Sequence, residues 1–434
     1  MRAFPITYLQ AAGGCLSLLT GTTAYADFFK DSHASLMANN YYMNSDFQDE
    51  TTSAAHQQSK RVEWAQGFTL NIKSGFTQGP VGFGLDVMGM LGLKIAANDD
   101  ETGNGILSVN QAAEGGRAGY VKKANDDYSK VGFTAKARYA ATDVRVGTLI
   151  PNLPVVQANL TRLFPQTFLG GEVVSRDIEN LTVTVGQINQ VKQRDSTDFQ
   201  KMTVDNRNGR FAVTGDSDRF YYGGADYAFS PSWVGTYYYS ELQDFYRQQY
   251  MGLKYSTKIG GGKFGAEARY FNTEDSGARY AGKVDNNAYT GIINYAVGTH
   301  KFSAGYTVFT GDTAIAVING AGTYLPGEVM INNFAENGEH VASLRYDYDF
   351  SALGLPGLTL MTRYLKGTQA ELGTMPAAGK RHEYERDTDV AYAFAKGSAL
   401  ENFAVLLRNG TARSNFQRDI DQTRLIVSYT MPLY

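Results

Sequence analysis

The sequence predicts an all-β protein, a single transmembrane antiparallel β-barrel of about 18 strands. Three observations lead to this prediction. The chain begins with an export signal, and the segments after it alternate between apolar and polar residues over about ten residues. No later segment approaches the ~18 consecutive apolar residues that a membrane-spanning helix requires. If the chain spans a membrane, it therefore does so as strands.

The predicted export signal has a basic residue at its start and a cleavage-site sequence at its end. Arg2 precedes a weakly polar stretch that finishes with the small-x-small sequence Ala24-Tyr25-Ala26. We predict a secretory signal peptide at residues 1–26 and one barrel domain at residues 27–434. Cys15 is the only cysteine, and the residues before it lack the large apolar residue of a lipidation box. The mature chain would then have no disulfide, so its stability must come from a large hydrogen-bonded or packed framework.

The composition favours a barrel. The chain has 29 Tyr and 24 Phe against 2 Trp, and 47 Gly against 10 Pro. Tyrosine suits the aromatic girdles of a membrane barrel, and glycine suits tight turns and crowded walls. A soluble β-solenoid or a secreted sandwich shares part of this composition, so the residue pattern has to separate these classes.

The strands themselves are predicted from alternation with a period of two residues. Phe403, Val405 and Leu407 point to one side of their segment, and the residues between them point to the other. Further strands are predicted at residues 81–87, 131–140, 144–150, 251–256, 264–271, 289–297, 302–309, 343–350, 358–366 and 390–396. The last segment alternates up to Tyr434, which would close a barrel without an exposed edge. The alternative is the terminal strand of a soluble sheet.

Short turns and long loops alternate along the chain, as expected if all the short turns lie on one side of a membrane. The tight connections are residues 140–143, 230–232 and 297–300, and the long ones are residues 96–128, 151–170, 311–339 and 369–385. Residues 50–60 are interpreted as a loop. The pattern does not define strand boundaries between Leu181 and Phe220.

The same alternation predicts which charges face the lumen. An arginine facing lipid at the membrane midplane would cost ~2–4 kcal/mol, so we assign the cations to the inner face. These residues are Lys73, Lys136, Arg138, Arg145, Lys254, Arg269, Arg345, Arg363, Arg408 and Arg424. The acids assigned inward are Asp86, Glu267, Asp347, Asp349 and Asp389. The lumen is then net positive, although each cation is equally explained as a solvated wall residue.

Catalytic motifs are missing from the sequence. The five histidines are scattered without metal-ligand spacing, and no G-x-S-x-G motif is present. Gly82-Phe83-Gly84 lacks the third glycine of a dinucleotide-binding loop. We therefore predict no catalytic residue, no metal, no cofactor and no nucleic-acid partner. Convergence of Ser, His and Asp in space stays possible, so an outer-membrane hydrolase is the least favoured alternative.

Six blocks of sequence stand out: Trp64-Ala65-Gln66-Gly67-Phe68, residues 74–84, residues 147–155, residues 161–168, residues 345–350 with 355–358, and residues 421–427. Together these blocks resemble the OprD family of substrate-specific porins. The blocks cover the whole mature chain in order. The resemblance implies an 18-stranded monomeric barrel of Gram-negative outer membranes, narrowed by loops that fold inward.

The resemblance implies passive uptake of small carboxylate-bearing solutes along a ladder of arginines and lysines. It places Arg408 and Arg424 on ladder positions, whereas Leu406 and Ala391 stand where relatives have basic residues. The implied partners are small carboxylates, outer-membrane lipid and lipopolysaccharide. Basic amino acids, aromatic acids and cyclic carboxylates stay open as substrates. A plugged structural or surface-interaction barrel is the alternative function.

The narrow passage is predicted in the loop that contains three prolines. Pro151, Pro154 and Pro165 limit the conformations of this loop, and Arg162 lies between them. We expect Arg162 to line the passage, the alternative being an ion pair that anchors the loop to the wall. By resemblance, Asp312 is the candidate acidic pole on the opposite side.

Overall fold

The computed structural model of the chain describes residues 28–48, 58–99, 101–113, 120–372 and 381–434. The predicted signal peptide and most of the loop predicted at residues 50–60 lie outside the described residues. Regular structure in the described part is almost entirely β-strand, with one-turn 3-10 helices at Arg207–Gly209 and Phe350–Leu353. No helix in these residues is long and apolar enough to cross a membrane.

Eighteen strands form one sheet, and four short strands lie in loops. The sheet contains β1 (His33–Phe47), β2 (Lys60–Lys73), β3 (Val81–Ala97), β6 (Asp127–Tyr139), β7 (Thr142–Leu149), β10 (Thr167–Ser175), β11 (Leu181–Lys192), β12 (Phe220–Ser230), β13 (Trp233–Leu242), β14 (Tyr246–Ile259), β15 (Gly262–Asp275), β16 (Asp285–Val297), β17 (His300–Gly311), β18 (His340–Asp349), β19 (Leu358–Ala370), β20 (Arg381–Ala393), β21 (Phe403–Ser414) and β22 (Ile420–Pro432). The loops contain β4 (Val109–Ala113), β5 (Tyr120–Ala124), β8 (Asn152–Leu153) and β9 (Val156–Gln157).

The sheet is a closed antiparallel barrel. Each of its strands pairs with the next one along the chain, and β1 pairs with β22 to complete the ring. In the closing pair, Met43 lies opposite Arg424 and Ala38 lies opposite Tyr429. Closure leaves no sheet edge exposed, since every strand has a hydrogen-bonded neighbour on both sides. The prediction of an 18-stranded barrel closed by its last strand is confirmed.

The two ends of the barrel differ in the length of their connections. Two-residue turns lie at residues 140–141, 231–232, 260–261 and 298–299 at one end. Gly260 and Gly261 both have positive φ, as the primed turns of two-residue hairpins require. The longest connections at the other end are loop 2 (residues 98–126), loop 3 (150–166), loop 4 (193–219) and loop 7 (312–339). In bacterial outer-membrane barrels the long loops lie on the extracellular side.

One predicted loop is too long. Residues 369–385 are predicted to be irregular, but β20 already begins at Arg381. Its first inward side chains are Arg381, Glu383 and Glu385, so the start of the strand is polar on both faces and has the composition of a loop. The undefined region after Leu181 resolves into β11 and then loop 4, which ends where β12 begins at Phe220.

The outer face of the wall is apolar and aromatic. Phe133 and Leu344 are 57% and 63% exposed, whereas the adjacent inward residue Arg345 is only half-buried and Leu365 is fully buried. Outward rings concentrate at two levels. Tyr392 marks the level near the short turns, and the stacked pair Tyr364 and Tyr384 lies closer to the loops. Two aromatic levels around an apolar band are the mark of a membrane barrel.

The core lies inside the barrel, where loops cover the inner wall. Ile315 and Ile318 of loop 7 are buried in one cluster with Tyr246 of β14 and Phe309 of β17. A second cluster packs Leu163 and residues of loop 2 against β1, β2 and β6. These contacts fix the loops against the wall by burying apolar surface, and so they position the polar groups that the loops carry.

Candidate functional site

Three arginines from different elements converge on Thr161 in loop 3. The Thr161 hydroxyl oxygen accepts hydrogen bonds from Arg162 Nη1 at 3.1 Å and from Arg194 Nη1 at 3.0 Å. The Thr161 carbonyl oxygen accepts from Arg162 Nη1 at 3.0 Å and from Arg424 Nη1 at 3.3 Å. Arg162 is in loop 3, Arg194 in loop 4 and Arg424 in β22. We call these three residues the arginine cluster.

Neighbouring amides hold the arginine cluster in place. The Thr161 hydroxyl donates to Asn159 Oδ1 at 2.6 Å, which leaves its lone pairs free to accept from the guanidiniums. Arg194 Nη1 also donates to Asn159 Oδ1 at 3.1 Å, and Arg162 Nε donates to the Asn104 carbonyl oxygen of loop 2 at 2.7 Å. Every acceptor is neutral, so the positive charge of the cluster is solvated by dipoles.

No carboxylate of the described residues forms an ion pair with the arginine cluster. Burial, and after it the positive charges of Arg424 and Arg194, hold the pKa of Arg162 well below its usual value. Burial also lowers the pKa of Arg194, with Asp195 opposing this shift and Arg424 adding to it. Like charges gathered in a partly buried place repel one another, so an arriving anion would be favoured there.

Arg424 connects the wall to two loops. Its side chain is fully buried, and besides Thr161 it reaches loop 7, where Nη2 donates to the Met330 carbonyl oxygen at 2.6 Å. Nε and Nη2 also donate to Gln422 Oε1 at 2.8 and 2.5 Å. Arg424 thus braces loops 3 and 7 against the barrel. It exposes no surface to a solute, whereas Arg162 and Arg194 are only half-buried.

Two buried carboxyl groups of the barrel wall accept hydrogen bonds from the backbone of loops 7 and 2. Glu385 of β20 accepts from the amides of Met330, Ile331 and Asn332 in loop 7 at 2.7 to 3.0 Å. Glu63 of β2 accepts from Thr102 Oγ1 and from three amides of loop 2 at 2.6 to 3.2 Å. Each of the two side chains accepts several hydrogen bonds from one loop, so Glu385 and Glu63 fix the loops that border the cluster.

Four of the predicted inward arginines lie in a belt of charges on the inner wall of β18–β22. The belt consists of two runs of directly opposite residues, which are two positions apart along β20: Arg345, Arg363 and Asp387, and then Asp389, Arg408 and Arg424. Arg363 Nε lies 2.6 Å from Asp387, and Arg408 Nε lies 2.9 Å from Asp389. Arg345 is likewise paired, with Asp347 at 2.5 Å. Acids therefore compensate every belt arginine except Arg424.

The other predicted wall cations also lie on the inner side, and most are paired. Lys136 contacts Asp86, Arg138 contacts Asp143, and Lys254 and Arg269 both contact Glu267. Arg269 additionally donates to the Tyr324 carbonyl oxygen of loop 7 and lies over the Tyr324 ring. Lys73 and Arg145 are exposed and form no ion pair within the described residues. The structure does not bring these cations together with the arginine cluster.

Asp312, the candidate acidic pole, has an ion-pair partner of its own. Its side chain is 61% exposed and forms an ion pair with Lys283, where β16 begins and β17 ends. The carboxylates whose charge reaches Arg162 or Arg194 are Glu63, Asp195 and Glu328, and the charge of Asp387 reaches Arg424. Glu63 accepts hydrogen bonds from loop 2, whereas Asp195 lies in loop 4 and Glu328 in loop 7.

Sequence reasoning missed Arg194, Glu63 and Glu385. Arg194 follows β11 in the region where the alternation defines no boundary. Glu63 lies two residues before Ala65, and both point to the same side of β2 as Thr69. Continuing the alternation of β2 toward its start would therefore have predicted that Glu63 faces inward. Glu385 falls within a predicted loop because β20 begins earlier than its apolar pattern.

The closed barrel, its inward loops and a charged passage beside them define the class of protein, an outer-membrane porin. A sequence model described as outer membrane porin, OprD family, matches residues 26–433. The chain therefore belongs to the OprD family of outer-membrane porins. It is located in the Gram-negative outer membrane, and as a porin it is a channel and not an enzyme.

Relatives cover nearly the whole chain. The porin-like protein GalP of Pseudomonas putida is 31% identical over 411 residues, which are 94% of this chain and 93% of the relative. The crystal structure of OccK9 (OpdG) of Pseudomonas aeruginosa is 41% identical with a TM-score of 0.86, covering 94% of this chain and 100% of that one. The structure of Pseudomonas aeruginosa OpdK with vanillate is 34% identical with a TM-score of 0.83, at the same coverages.

Proposed function

We propose that this porin takes up small solutes bearing a carboxylate and that the carboxylate binds at the arginine cluster. The observation that carries the proposal is that Arg162, Arg194 and Arg424 meet at Thr161 without a carboxylate partner among the described residues. Arg162 and Arg194 present the accessible donors, and Arg424 holds the loops that carry them. Their forked guanidinium groups match the two oxygens of a carboxylate.

The strength of the site suits transport. A hydrogen bond to a charged group contributes ~1.5–3 kcal/mol, so two guanidiniums would bind a carboxylate measurably. Asp195 and Glu328 reduce the local positive potential, which limits how long the anion stays. A channel needs binding that is favourable enough for a solute to enter and weak enough for it to leave.

The paired belt gives the solute weaker contacts along the wall. A carboxylate that reaches Arg363 or Arg408 has to compete with Asp387 or Asp389, so no deep trap forms there. The neutral Leu406 and Ala391 on the same wall further reduce attraction for anions. Selection would then occur mainly at the arginine cluster.

A similar porin supports this class of solute. The crystal structure of Pseudomonas aeruginosa OpdK contains vanillate. Vanillate is an aromatic ring that bears one carboxylate, so it carries the group that the arginine cluster would bind. The same chemistry in a relative with this fold favours a small carboxylate as the solute here.

The reversal potential of reconstituted channels in a KCl gradient tests the proposal. The Arg162→Gln and Arg194→Gln double variant should shift the reversal potential toward cation selectivity, because it removes two of the three uncompensated charges. Arg247→Gln is the matched control, since Arg247 lies outside the pore in an ion pair with Glu274. An unchanged reversal potential in the double variant would contradict the proposed site. Wild-type protein without ion current would instead indicate a plugged structural barrel.

A further inference from the structure

Five cations of the described barrel strands have the register of lipid-facing residues. Three of them have carboxylate partners: Lys60 with Glu101, Arg247 with Glu274, and Arg413 with Asp421. The other two, Lys366 and Arg386, are exposed and form no ion pair within the described residues. These two lie on neighbouring strands, β19 and β20, so the outward cations without an ion-pair partner in the described residues are next to each other.

Lys366 and Arg386 form a compact group with two tyrosines. Lys366 lies directly opposite Tyr384, and Arg386 lies directly opposite Tyr364. The two tyrosine rings stack with centroids 6.0 Å apart. The only hydrogen bond of the Arg386 guanidinium within the described residues is a long one of 3.4 Å to Asn409 Oδ1. We call Lys366, Arg386, Tyr364 and Tyr384 the outer patch.

The depth of the outer patch makes its charge costly. Arg386 is six residues along β20 from Tyr392, which belongs to the aromatic level near the short turns. At ~3.3 Å per residue and a tilt of ~40°, this is about 15 Å along the membrane normal. The apolar band is about 25 Å tall, so Arg386 starts inside it and has to extend toward the outer headgroups. An anion at that level would compensate both cations.

An apolar groove leads to Arg386 along the outside of the wall. It has a volume of about 590 Å³, and Ile293, Phe302, Leu344, Tyr346, Tyr364 and Arg386 contribute to its lining. The groove therefore starts among apolar side chains near the short turns and ends at a guanidinium on the loop side. This arrangement suits a molecule with an acyl chain and a negatively charged head.

We propose that the outer patch binds a lipopolysaccharide molecule, with a headgroup phosphate at Lys366 and Arg386 and an acyl chain in the groove. Phosphorylated glycolipid is the anionic lipid of the leaflet toward which both side chains extend. Arg413 forms ion pairs with Asp419 and Asp421 near the outer patch. The charge of Asp421 also reaches Arg386, but the three cations Lys366, Arg386 and Arg413 still exceed the two carboxylates by one charge. His382 adds no negative charge. The outer patch lies outside the pore, so this proposal does not depend on the proposed solute.

The test is a titration of the purified full-length porin with lipopolysaccharide in detergent, read by native mass spectrometry. Each basic residue near an anionic lipid surface contributes about a fivefold gain in affinity, so the Lys366→Gln and Arg386→Gln double variant should bind about 30-fold more weakly. Lys366→Gln alone should bind about fivefold more weakly. Arg247→Gln, which changes an outward cation that already has a partner, should bind like the wild type. Unchanged conductance of each variant verifies folding.

In further titrations of the wild-type porin, the lipid is varied. Dephosphorylated lipopolysaccharide and phosphatidylglycerol should bind the wild type much more weakly than intact lipopolysaccharide does. Equal binding of either lipid would overturn the proposal, as would wild-type affinity in both the single and the double variant. Displacement of lipopolysaccharide by millimolar inorganic phosphate would also overturn it, because the patch would then bind a free anion.

Discussion

The Arg424 guanidinium of β22 donates a hydrogen bond of 2.6 Å to the carbonyl oxygen of Met330 in loop 7. The same side chain reaches Thr161 of loop 3, so one buried residue ties both loops to the wall. Arg424, which the resemblance places on a ladder position, therefore has a structural role. Its neighbours Arg162 and Arg194 lie on loops and are half-buried, and they are the arginines through which we propose that a solute binds.

Replacing Arg424 should loosen the passage. Arg424→Gln removes hydrogen bonds to two loop carbonyls, each contributing ~1.5–3 kcal/mol because the donor is charged. We expect larger and more variable single-channel conductance. Arg408→Gln is the matched control, because Arg408 lies directly opposite Arg424 and has Asp389 as its partner. Equal conductance noise in the two variants would argue against the brace.

Glu385 should control the exchange of loop 7 amides. In Glu385→Ala the amides of Met330, Ile331 and Asn332 lose their acceptor, and each lost hydrogen bond is worth ~0.5–1.5 kcal/mol. Hydrogen exchange at these amides should accelerate at least about tenfold. Glu274→Ala, which breaks an exposed outward ion pair, should leave their exchange unchanged. Slow exchange in both variants would mean that other contacts hold the loop.

Loop 7 should become less stable as pH rises. Burial, and then the negative charge of Glu336, raises the pKa of Glu339 to about 7, while Arg210 opposes the shift. A carboxyl with a raised folded-state pKa favours the fold when protonated, and this stability is lost between the unfolded value of about 4.5 and about pH 7. Glu383 also faces this group. Loop 7 exchange, corrected for intrinsic rates, should increase from about pH 5 to about pH 7, and Glu339→Gln should flatten the profile.

Asp312 should be dispensable for selectivity. Asp312→Asn breaks an exposed ion pair with Lys283, and exposed pairs contribute only ~0–1 kcal/mol to stability. The reversal potential and the thermal stability should stay at their wild-type values. A clear shift toward anion selectivity would show that Asp312 acts as an acidic pole after all.

The barrel was predictable because lipid imposes the alternation on every strand. Leu344 and Arg345, for example, fall on opposite faces by parity alone. Parity also placed Arg424 inward, but it could not show that two loops would cover this side chain. Loop residues such as Thr161 and Arg194 have no periodicity, and their meeting depends on packing between segments distant in sequence. The start of β20 was not predicted because its inward residues Glu383 and Glu385 are polar. They are polar because they bind groups of loop 7, which the sequence pattern does not show.

The most direct test of the central claim compares the uptake of benzoate and benzamide into liposomes. The two solutes share size and ring, and only benzoate carries the charge that the arginine cluster would bind. Wild-type porin should transport benzoate at least several-fold faster than benzamide, and the Arg162→Gln and Arg194→Gln double variant should lose this preference while transporting benzamide normally. Equal uptake of both solutes by the wild type, or an unchanged preference in the double variant, would contradict carboxylate selection at Thr161.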